Sequence, residues 1–178
     1  YSGFFLNHKD NLITLLAKAK SENIPVVLLG VSFALLSLAS DFTFQFPELI
    51  VMETGGMKGR RKELTKEEMH QELVAGFGCE YIASEYGMCE LLSQAYSDKN
   101  GLFELPSWMK ISLREVNDPF EVLKQDKTGG VNVIDLANIY SCAFIETQDL
   151  GRMEDGKLRL MGRFDHSDIR GCNLLVAN

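Results

Sequence analysis

The chain has 178 residues, a formal net charge of −7 and 46% hydrophobic residues. This length suits one domain or one large piece of a domain, and the hydrophobic share is ordinary for a globular protein that buries a core. The negative charge argues against a nucleic-acid partner, which requires a basic patch. Four cysteines without CxxC spacing favour a reducing, cytoplasmic setting over disulfides or a zinc site. The longest apolar stretch, residues 26–39, is too short to span a membrane.

The first 100 residues alternate predicted helices and strands. In chain order these are a helix over 7–22, a strand over 25–29, a helix over 31–38, a strand over 49–52, a helix over 65–77, a strand over 81–83 and a short helix over 90–96. Such alternation is typical of parallel βαβ units in an α/β fold. Ligands of these sheets bind where the strands end at their carboxyl side.

The pattern changes after about residue 101. Strands are predicted over 109–116, 130–136, 141–146 and 157–161, and they are joined by turns rather than by helices. The Glu-Asp-Gly sequence over 154–156 is a hairpin-type turn. We therefore predict a parallel βαβ sub-domain over 1–100 and a mostly antiparallel β sub-domain over 101–178.

The most informative segment is the run Glu-Tyr-Gly-Met-Cys-Glu over 85–90, which follows a predicted strand. An aromatic ring at Tyr86 can stack on a base, Gly87 lets the backbone approach a phosphate, and the carboxylate of Glu90 can hold a magnesium ion. The plainer interpretation is a strand-to-helix turn. In that case Tyr86 packs in the core and Glu90 is favourable at the start of a helix.

Five other residues are weaker signals taken singly. Gly55 and Gly56 follow a predicted strand, either as an ordinary tight turn or as a close approach to a flat ring or a carboxylate. Asp149 lies in a predicted turn between strands, where Asp is common, and its carboxylate could also accept two ribose hydroxyls. Arg163 either pairs with an acid at the surface or contacts a nucleotide. Cys172 is either a packed free cysteine or a thiolate nucleophile.

Taken together, five stretches resemble the acyl-protein synthetases of bacterial bioluminescence operons. These long-chain fatty acid–protein ligases are a branch of the adenylate-forming ligases related to phenylacetate–CoA ligase. The matching stretches are residues 30–36, 52–60, 84–88, 135–142 and 162–172. The Met-Glu-Thr-Gly-Gly-Met-Lys-Gly-Arg run over 52–60 is long and specific, and the stretches together span almost the whole chain.

The resemblance implies a two-step reaction that uses ATP and Mg²⁺. A fatty acid or other carboxylic acid reacts with ATP to give acyl-adenylate and pyrophosphate, and the acyl group then passes to a thiol. The implied nucleotide-binding residues are Gly55, Gly56, Glu85, Tyr86, Gly87, Met88, Cys89, Asp149 and Arg163. Among them Tyr86 stacks on adenine, Asp149 holds the ribose and Arg163 contacts ribose or phosphate. Glu90 is implied as magnesium ligand and catalytic residue, and Cys172 as the cysteine that takes the acyl group.

Two departures from the family limit what this chain is expected to do alone. Cys89 stands where the family usually carries a Thr that contacts the α-phosphate, and a thiol is a weaker donor than a hydroxyl. The family's Ser/Thr/Gly-rich phosphate loop precedes the first residue of this chain, and the chain ends soon after Cys172. We therefore expect the C-terminal half of such a ligase, inactive on its own.

Two alternatives stay open from the residues. The protein is an acyl–CoA ligase that uses free coenzyme A, or it is a non-catalytic nucleotide- or acyl-binding module. Such a module would act in a complex with acyl-reductase or acyltransferase subunits. An apolar edge left by the absent half predicts self-association. We also expect Tyr86, Gly55, Gly56, Asp149 and Arg163 to converge on one cleft at the carboxyl ends of the strands.

Overall fold

The computed structural model describes residues 2–5, 8–42, 44–55, 66–124 and 126–163. The chain divides into two compact units, residues 1–85 and residues 86–178. Helices occur in the first unit and antiparallel strands dominate the second, so the fold is mixed α/β with few helices, as predicted. Each unit has a hydrophobic core of its own.

The first unit is a parallel βαβ arrangement. Its elements are α1 (Lys9–Ser21), β1 (Val27–Val31), α2 (Ser32–Ala39), β2 (Ile50–Thr54), α3 (Lys66–Phe77) and β3 (Ile82–Tyr86). Strand β2 pairs in parallel with β1 on one side and with β3 on the other. The alternation of helix and strand in the sequence therefore predicted this part of the topology correctly.

One face of this parallel sheet is buried under the helices. The core contains strand and helix residues, among them Leu28, Val51, Ile82, Leu35 and Leu73. Because side chains two residues apart share a face of a strand, Glu53 follows Val51 and Ser84 follows Ile82 into the same buried layer. Both polar residues are buried. The carboxyl ends of β2 and β3 thus carry polar groups beneath the helices.

The second unit is antiparallel. Its strands are β4 (Ala95–Ser97), β5 (Leu102–Glu104), β6 (Met109–Arg114), β7 (Gly129–Asp135), β8 (Phe144–Glu154) and β9 (Lys157–Arg163). Their spatial order is β4-β5-β9-β8-β7-β6, and each neighbouring pair is antiparallel. This confirms the predicted change from parallel to antiparallel strands, although β4 and β5 were not predicted.

The predicted helix over residues 90–96 is wrong. Strand β4 occupies the end of this segment, and buried and exposed residues alternate from Leu91 to Ser97. The Asp135 carboxylate accepts hydrogen bonds from the backbone N–H groups of Leu92 and Ser93 and from the Ser93 hydroxyl. Burial with a period of two residues fits an extended chain rather than a helix, and a buried side chain from β7 binds two N–H groups of this extended segment.

The predicted turn at Asp149 is also wrong, because Asp149 lies inside β8. The reversal comes later, at the predicted Glu-Asp-Gly turn. Asp155 and Gly156 have φ angles of 50° and 78°, and they form a two-residue connection between β8 and β9. Two consecutive positive φ angles fit a type I′ hairpin, for which Asp-Gly is a preferred sequence.

Candidate functional site

Three residues predicted from separate motifs meet in the second unit. The Tyr86 hydroxyl donates a hydrogen bond of 2.9 Å to Asp149 Oδ2. Arg163 Nε lies 3.3 Å from Asp149 Oδ1, and the two residues are cross-strand partners on β8 and β9. The Asp149 side chain is 14% exposed and that of Arg163 is 71% exposed. The carboxylate is therefore accessible, with one neighbour buried and the other in solvent.

Tyr86 is a neutral donor in this arrangement. Burial raises the pKa of its phenol, and the negative charge and hydrogen bond of Asp149 raise it further, against weaker lowering by Thr147 and Arg163. The phenol is therefore protonated at neutral pH, and its O–H is available to the carboxylate. Its ring packs edge-to-face on Phe103, with centroids 6.1 Å apart and planes at 66°.

An irregularity in β8 sets the position of Asp149. Gly130 of β7 pairs with Leu150, but Asn132 pairs with Glu146, so the segment of β8 between these pairs is longer than the opposing segment of β7. Thr147 lies in the extra segment and bridges it. Its hydroxyl donates to the carbonyl oxygen of Val131 at 2.8 Å and accepts the Asp149 backbone N–H at 3.1 Å. Bulges of this kind redirect side chains at functional sites.

A buried arginine binds the backbone of the same irregular segment of β8. Arg114 of β6 is 3% exposed, and its Nη2 atom donates to the Thr147 carbonyl oxygen at 2.8 Å and lies 2.9 Å from Glu146 Oε1. The guanidinium crosses directly over Gly130, where an added Cβ would stand 1.4 Å from Nη1. Gly130 is required here because any side chain would occupy the space that the arginine fills.

The rest of the 85–90 motif is more open. Gly87, Cys89 and Glu90 are exposed, and Met88 is partly buried against the core of the second unit. The backbone carbonyl of Glu90 accepts a hydrogen bond of 2.7 Å from Asn138 Nδ2. The turn is thus fixed through its backbone, and the Glu90 carboxylate is left on the surface.

Glu90 fits a magnesium ion only if other ligands come from a bound phosphate. Within the described ranges, no group of three or more His, Cys, Asp or Glu side chains is arranged to hold a metal ion. Mg²⁺ commonly uses one or two carboxylates together with substrate phosphates and water. An exposed carboxylate at Glu90 is compatible with that mode, in which the nucleotide supplies the remaining oxygens.

The other predicted residues lie in the first unit or outside the described part of the chain. Gly55 ends β2 with a φ of 72°, and an added Cβ there would meet open space. The positive φ of residue 55 therefore favours glycine, whereas the space around it would accept a larger side chain. Glu85 Oε1 accepts a hydrogen bond of 3.0 Å from the Thr54 hydroxyl. Gly56 and Cys172 lie outside the described residues.

A buried polar cluster that was not predicted from the sequence surrounds Glu53, which is 5% exposed. Ser32 Oγ lies 3.0 Å from Glu53 Oε2 and 2.8 Å from the carbonyl oxygen of Gly55. Lys66 Nζ and His70 Nε2 lie 3.4 Å and 3.6 Å from Glu53 Oε1. The signal was present in the sequence, since an acid two residues after the apolar Val51 must share its face.

This cluster is not a catalytic triad. In a triad the imidazole lies between the hydroxyl and the carboxylate, whereas here the Glu53 carboxylate lies between Ser32 and His70. Ser32 is also only 1% exposed. The cluster instead ties α2 and α3 to the end of β2, and it holds the carbonyl of Gly55, a predicted site residue.

A cavity of about 540 Å³ in the second unit is separate from the predicted residues. Its walls are mainly apolar and include Leu92, Leu105, Pro106 and Trp108. None of the predicted site residues that the structure describes lines it. Elsewhere in the described residues, no helix has the length and hydropathy needed to cross a membrane.

No protein-family model matches the sequence, and no curated protein matches it either. Solved structures with the same fold do exist. The chain superimposes on ATP-bound MatB from Rhodopseudomonas palustris with a TM-score of 0.60 and 17% identity, covering 87% of this chain and 33% of that one. A long-chain-fatty-acid–CoA ligase, FadD1 from Archaeoglobus fulgidus, gives a TM-score of 0.59 and 13% identity, with 94% and 39% covered.

Ligases of other carboxylic acids show the same likeness. A benzoate–CoA ligase from Burkholderia xenovorans LB400 has a TM-score of 0.53 and 16% identity, covering 87% of this chain and 34% of that one. The fatty acyl-adenylate ligases of E. coli and L. pneumophila give 0.58 and 12%, covering 90% and 38%. The chain thus has the fold of one part of these ligases and spans about a third of their length.

Proposed function

We propose that this chain is the part of an ATP-dependent, AMP-forming ligase that binds the nucleoside of the acyl-adenylate. The observation that carries the proposal is the contact of Tyr86, Asp149 and Arg163. Tyr86 lies 63 residues before Asp149, Arg163 is the cross-strand partner of Asp149, and both meet its partly exposed carboxylate. Support for the class of ligand comes from the fold, which is shared with acyl–CoA and acyl-adenylate ligases.

The chemistry of the cluster suits a ribose. The two oxygens of an ionised carboxylate have about four acceptor positions. Tyr86 and Arg163 approach one oxygen each, which leaves an acceptor position on both for the two hydroxyls of a ribose. Hydrogen bonds to a charged group contribute about 1.5–3 kcal/mol each, enough to distinguish a bound ribose from solvent.

The finer assignment follows the resemblance to acyl-protein synthetases. In this proposal ATP activates a fatty acid or another carboxylic acid, with Glu90 and the phosphates holding Mg²⁺. The acyl group then passes from the mixed anhydride to the thiolate of Cys172, with AMP as the leaving group. Acyl-reductase or acyltransferase subunits are the proposed partners that receive the product. Transfer to free coenzyme A is the second candidate, favoured by the CoA ligases among the structures of the same fold.

Binding of AMP to the 178-residue chain tests the nucleoside site. We expect millimolar binding, detected by saturation-transfer difference NMR on the adenine and ribose protons. Asp149→Asn removes the charge and weakens binding by about tenfold or more. Absence of any AMP signal, or the same affinity in Asp149→Asn, contradicts the proposal.

ATP serves as the comparison ligand in the same titration. We expect ATP to bind no more tightly than AMP, because the proposed site holds the ribose through Asp149, and the two nucleotides share that ribose. Micromolar ATP affinity with release of pyrophosphate would show instead that this chain alone suffices for adenylation.

Incubation with a chemically prepared, labelled acyl-adenylate tests the acyl acceptor. We expect label on the protein that hydroxylamine removes, and we expect Cys172→Ser to abolish it. Cys142→Ser is the matched control, because this exposed thiol belongs to none of the predicted site residues and its loss should leave the label unchanged. Label that persists in Cys172→Ser argues against this acceptor, and label found only on added coenzyme A supports the second candidate.

A further inference from the structure

We infer that the Tyr86 hydroxyl is a positioning group that orients the Asp149 carboxylate and so sets the preference for a ribose over a 2′-deoxyribose. This inference rests on the proposed nucleoside site. It differs from the role implied by the resemblance, in which the Tyr86 ring stacks on adenine. The relevant atom here is the phenol oxygen, 2.9 Å from Asp149 Oδ2.

The burial of Tyr86 favours a role for the hydroxyl over a role for the ring. Tyr86 is only 7% exposed, and its ring already packs edge-to-face on Phe103. A base can stack only on a ring face that solvent can reach, so the buried ring offers it little surface. The hydroxyl, in contrast, donates to the partly exposed carboxylate of Asp149.

The backbone and side chain of Asp149 are held by different neighbours. Thr147 accepts the Asp149 N–H, and Arg114 binds the Thr147 carbonyl, so the main chain is fixed from one side. The carboxylate can still rotate about its side-chain bonds. Among the described residues, the carboxylate contacts Tyr86 and the exposed Arg163, and of these only Tyr86 is itself buried and packed. A packed donor restricts rotation far more than a solvent-exposed one.

In this arrangement each oxygen of the Asp149 carboxylate has one protein donor and one acceptor position left for a ligand. With the phenol on Oδ2 and the guanidinium on Oδ1, the remaining acceptor directions of the two oxygens are fixed in space. A vicinal diol can use both directions together, whereas a 2′-deoxyribose can use only one. Loss of the phenol O–H frees the carboxylate to rotate, and a single hydroxyl then binds almost as well as two.

The test compares AMP with 2′-deoxy-AMP in three versions of the full chain: wild type, Tyr86→Phe and Tyr140→Phe. Tyr86→Phe removes only the hydroxyl and keeps the packed ring. Tyr140→Phe is the matched control, because it removes the same atom from a tyrosine that is fully exposed. Affinities come from saturation-transfer NMR, and thermal unfolding verifies that each variant is folded.

We expect the wild type and Tyr140→Phe to bind AMP about tenfold more tightly than 2′-deoxy-AMP. In Tyr86→Phe the ratio should fall to about threefold or less, with AMP losing more affinity than 2′-deoxy-AMP. The Asp149 carboxyl ¹³C resonance should also shift in Tyr86→Phe and stay in place in Tyr140→Phe. This signal reports the contact even without ligand.

The outcomes separate the two proposals. If Tyr86→Phe leaves the ratio of the AMP and 2′-deoxy-AMP affinities unchanged, the positioning role is overturned. Tighter AMP binding in Tyr86→Phe overturns it as well, because it would mean that the phenol competes with the ribose for the carboxylate. In both cases the nucleoside site itself survives, provided that AMP binding still depends on Asp149. If the wild type binds no AMP, or binds it independently of Asp149, the proposed function fails first.

Discussion

Glu53 is a carboxylate buried at the end of β2, and its partners come from both flanking helices. Burial by itself would raise the pKa of Glu53, but the neighbouring polar groups of His70, Ser84 and Ser32 and the positive charge of Lys66 outweigh it. The pKa of Glu53 therefore lies below its ordinary value. The ionised form is the one that the folded state stabilises.

Glu53→Gln should lower the free energy of unfolding at pH 7 by about 1–3 kcal/mol, because a buried group loses hydrogen bonds to its charged form. Urea denaturation followed by circular dichroism measures this change. Glu48→Gln is the matched control, since Glu48 is exposed, and we expect its effect to stay within about 0.5 kcal/mol. An equally small effect of Glu53→Gln would show that the charge of Glu53 contributes little to the free energy of unfolding.

The same pair of variants gives a pH dependence with a definite sign. A carboxylate whose pKa is depressed in the folded state stabilises the protein above its unfolded pKa, about 4.3 for Glu. That contribution is lost as the pH falls through the lower, folded pKa. The stability gap between wild type and Glu53→Gln should therefore be largest near neutral pH and shrink below pH values of about 4. A gap that grows in acid would reverse the assignment.

At the scale of elements, β6, β7 and β8 act together to present Asp149. The guanidinium of Arg114 fills the space above Gly130 and binds the backbone at Thr147. A brace of this kind links three neighbouring strands through one side chain. It explains how a strand with extra residues keeps a fixed shape.

Gly130→Ala should displace Arg114 and lower the free energy of unfolding by about 2–4 kcal/mol, since a buried charge loses its partners. AMP binding should weaken as well, because the position of Asp149 depends on the braced segment. A double-mutant cycle with Arg114→Ala provides the control. Once the guanidinium is gone, Gly130→Ala should add little further cost, and additive effects would count against the brace.

Elements that depend on contacts between residues close in sequence were predicted correctly, and those that depend on residues distant in sequence were not. The helix and strand pattern of residues 1–85 follows from local periodicity, and the Asp155–Gly156 hairpin follows from its turn residues. The helix predicted at 90–96 is wrong, and in the observed extended segment Asp135, more than forty residues later, binds the N–H groups of Leu92 and Ser93. No local pattern contains that information.

The candidate site shows the same limit. The resemblance placed Tyr86, Asp149 and Arg163 in one ligand site, but it did not predict the hydrogen bond from the Tyr86 hydroxyl to Asp149. That contact joins residues 63 positions apart and depends on the burial of Tyr86. Glu53 was readable in principle, because the two-residue period of a strand places it beside Val51 in the core.

At the scale of the molecule, one face of the parallel sheet in the first unit is apolar and exposed. Val27, Leu29 and Val31 alternate along β1, and Ile50 of β2 pairs with Val27, so all four share a face. The buried helices pack on the opposite face. Exposed apolar patches of this type mark surfaces that another protein surface covers.

We expect the isolated chain to self-associate through this face, with a second copy as the occupant. Sedimentation velocity should show a mass that rises with concentration, and Leu29→Lys should shift the chain toward monomer. Lys substitution of Leu92, an exposed apolar residue of the second unit, is the control and should leave association unchanged. A clean monomer at high concentration for the wild type would exclude self-association.

The Asp155–Gly156 turn also has a consequence for the order in which the site is assembled. Asp149 and Arg163 face each other across a single hairpin, and hairpins form in about 1–10 μs. Tyr86 joins Asp149 from 63 residues earlier in the chain, so its contact requires the closure of a much longer loop. The acid and the arginine can therefore pair as soon as β8 pairs with β9, whereas the phenol reaches the carboxylate only after this longer loop has closed. The carboxylate gains its charge partner first and its fixed orientation last.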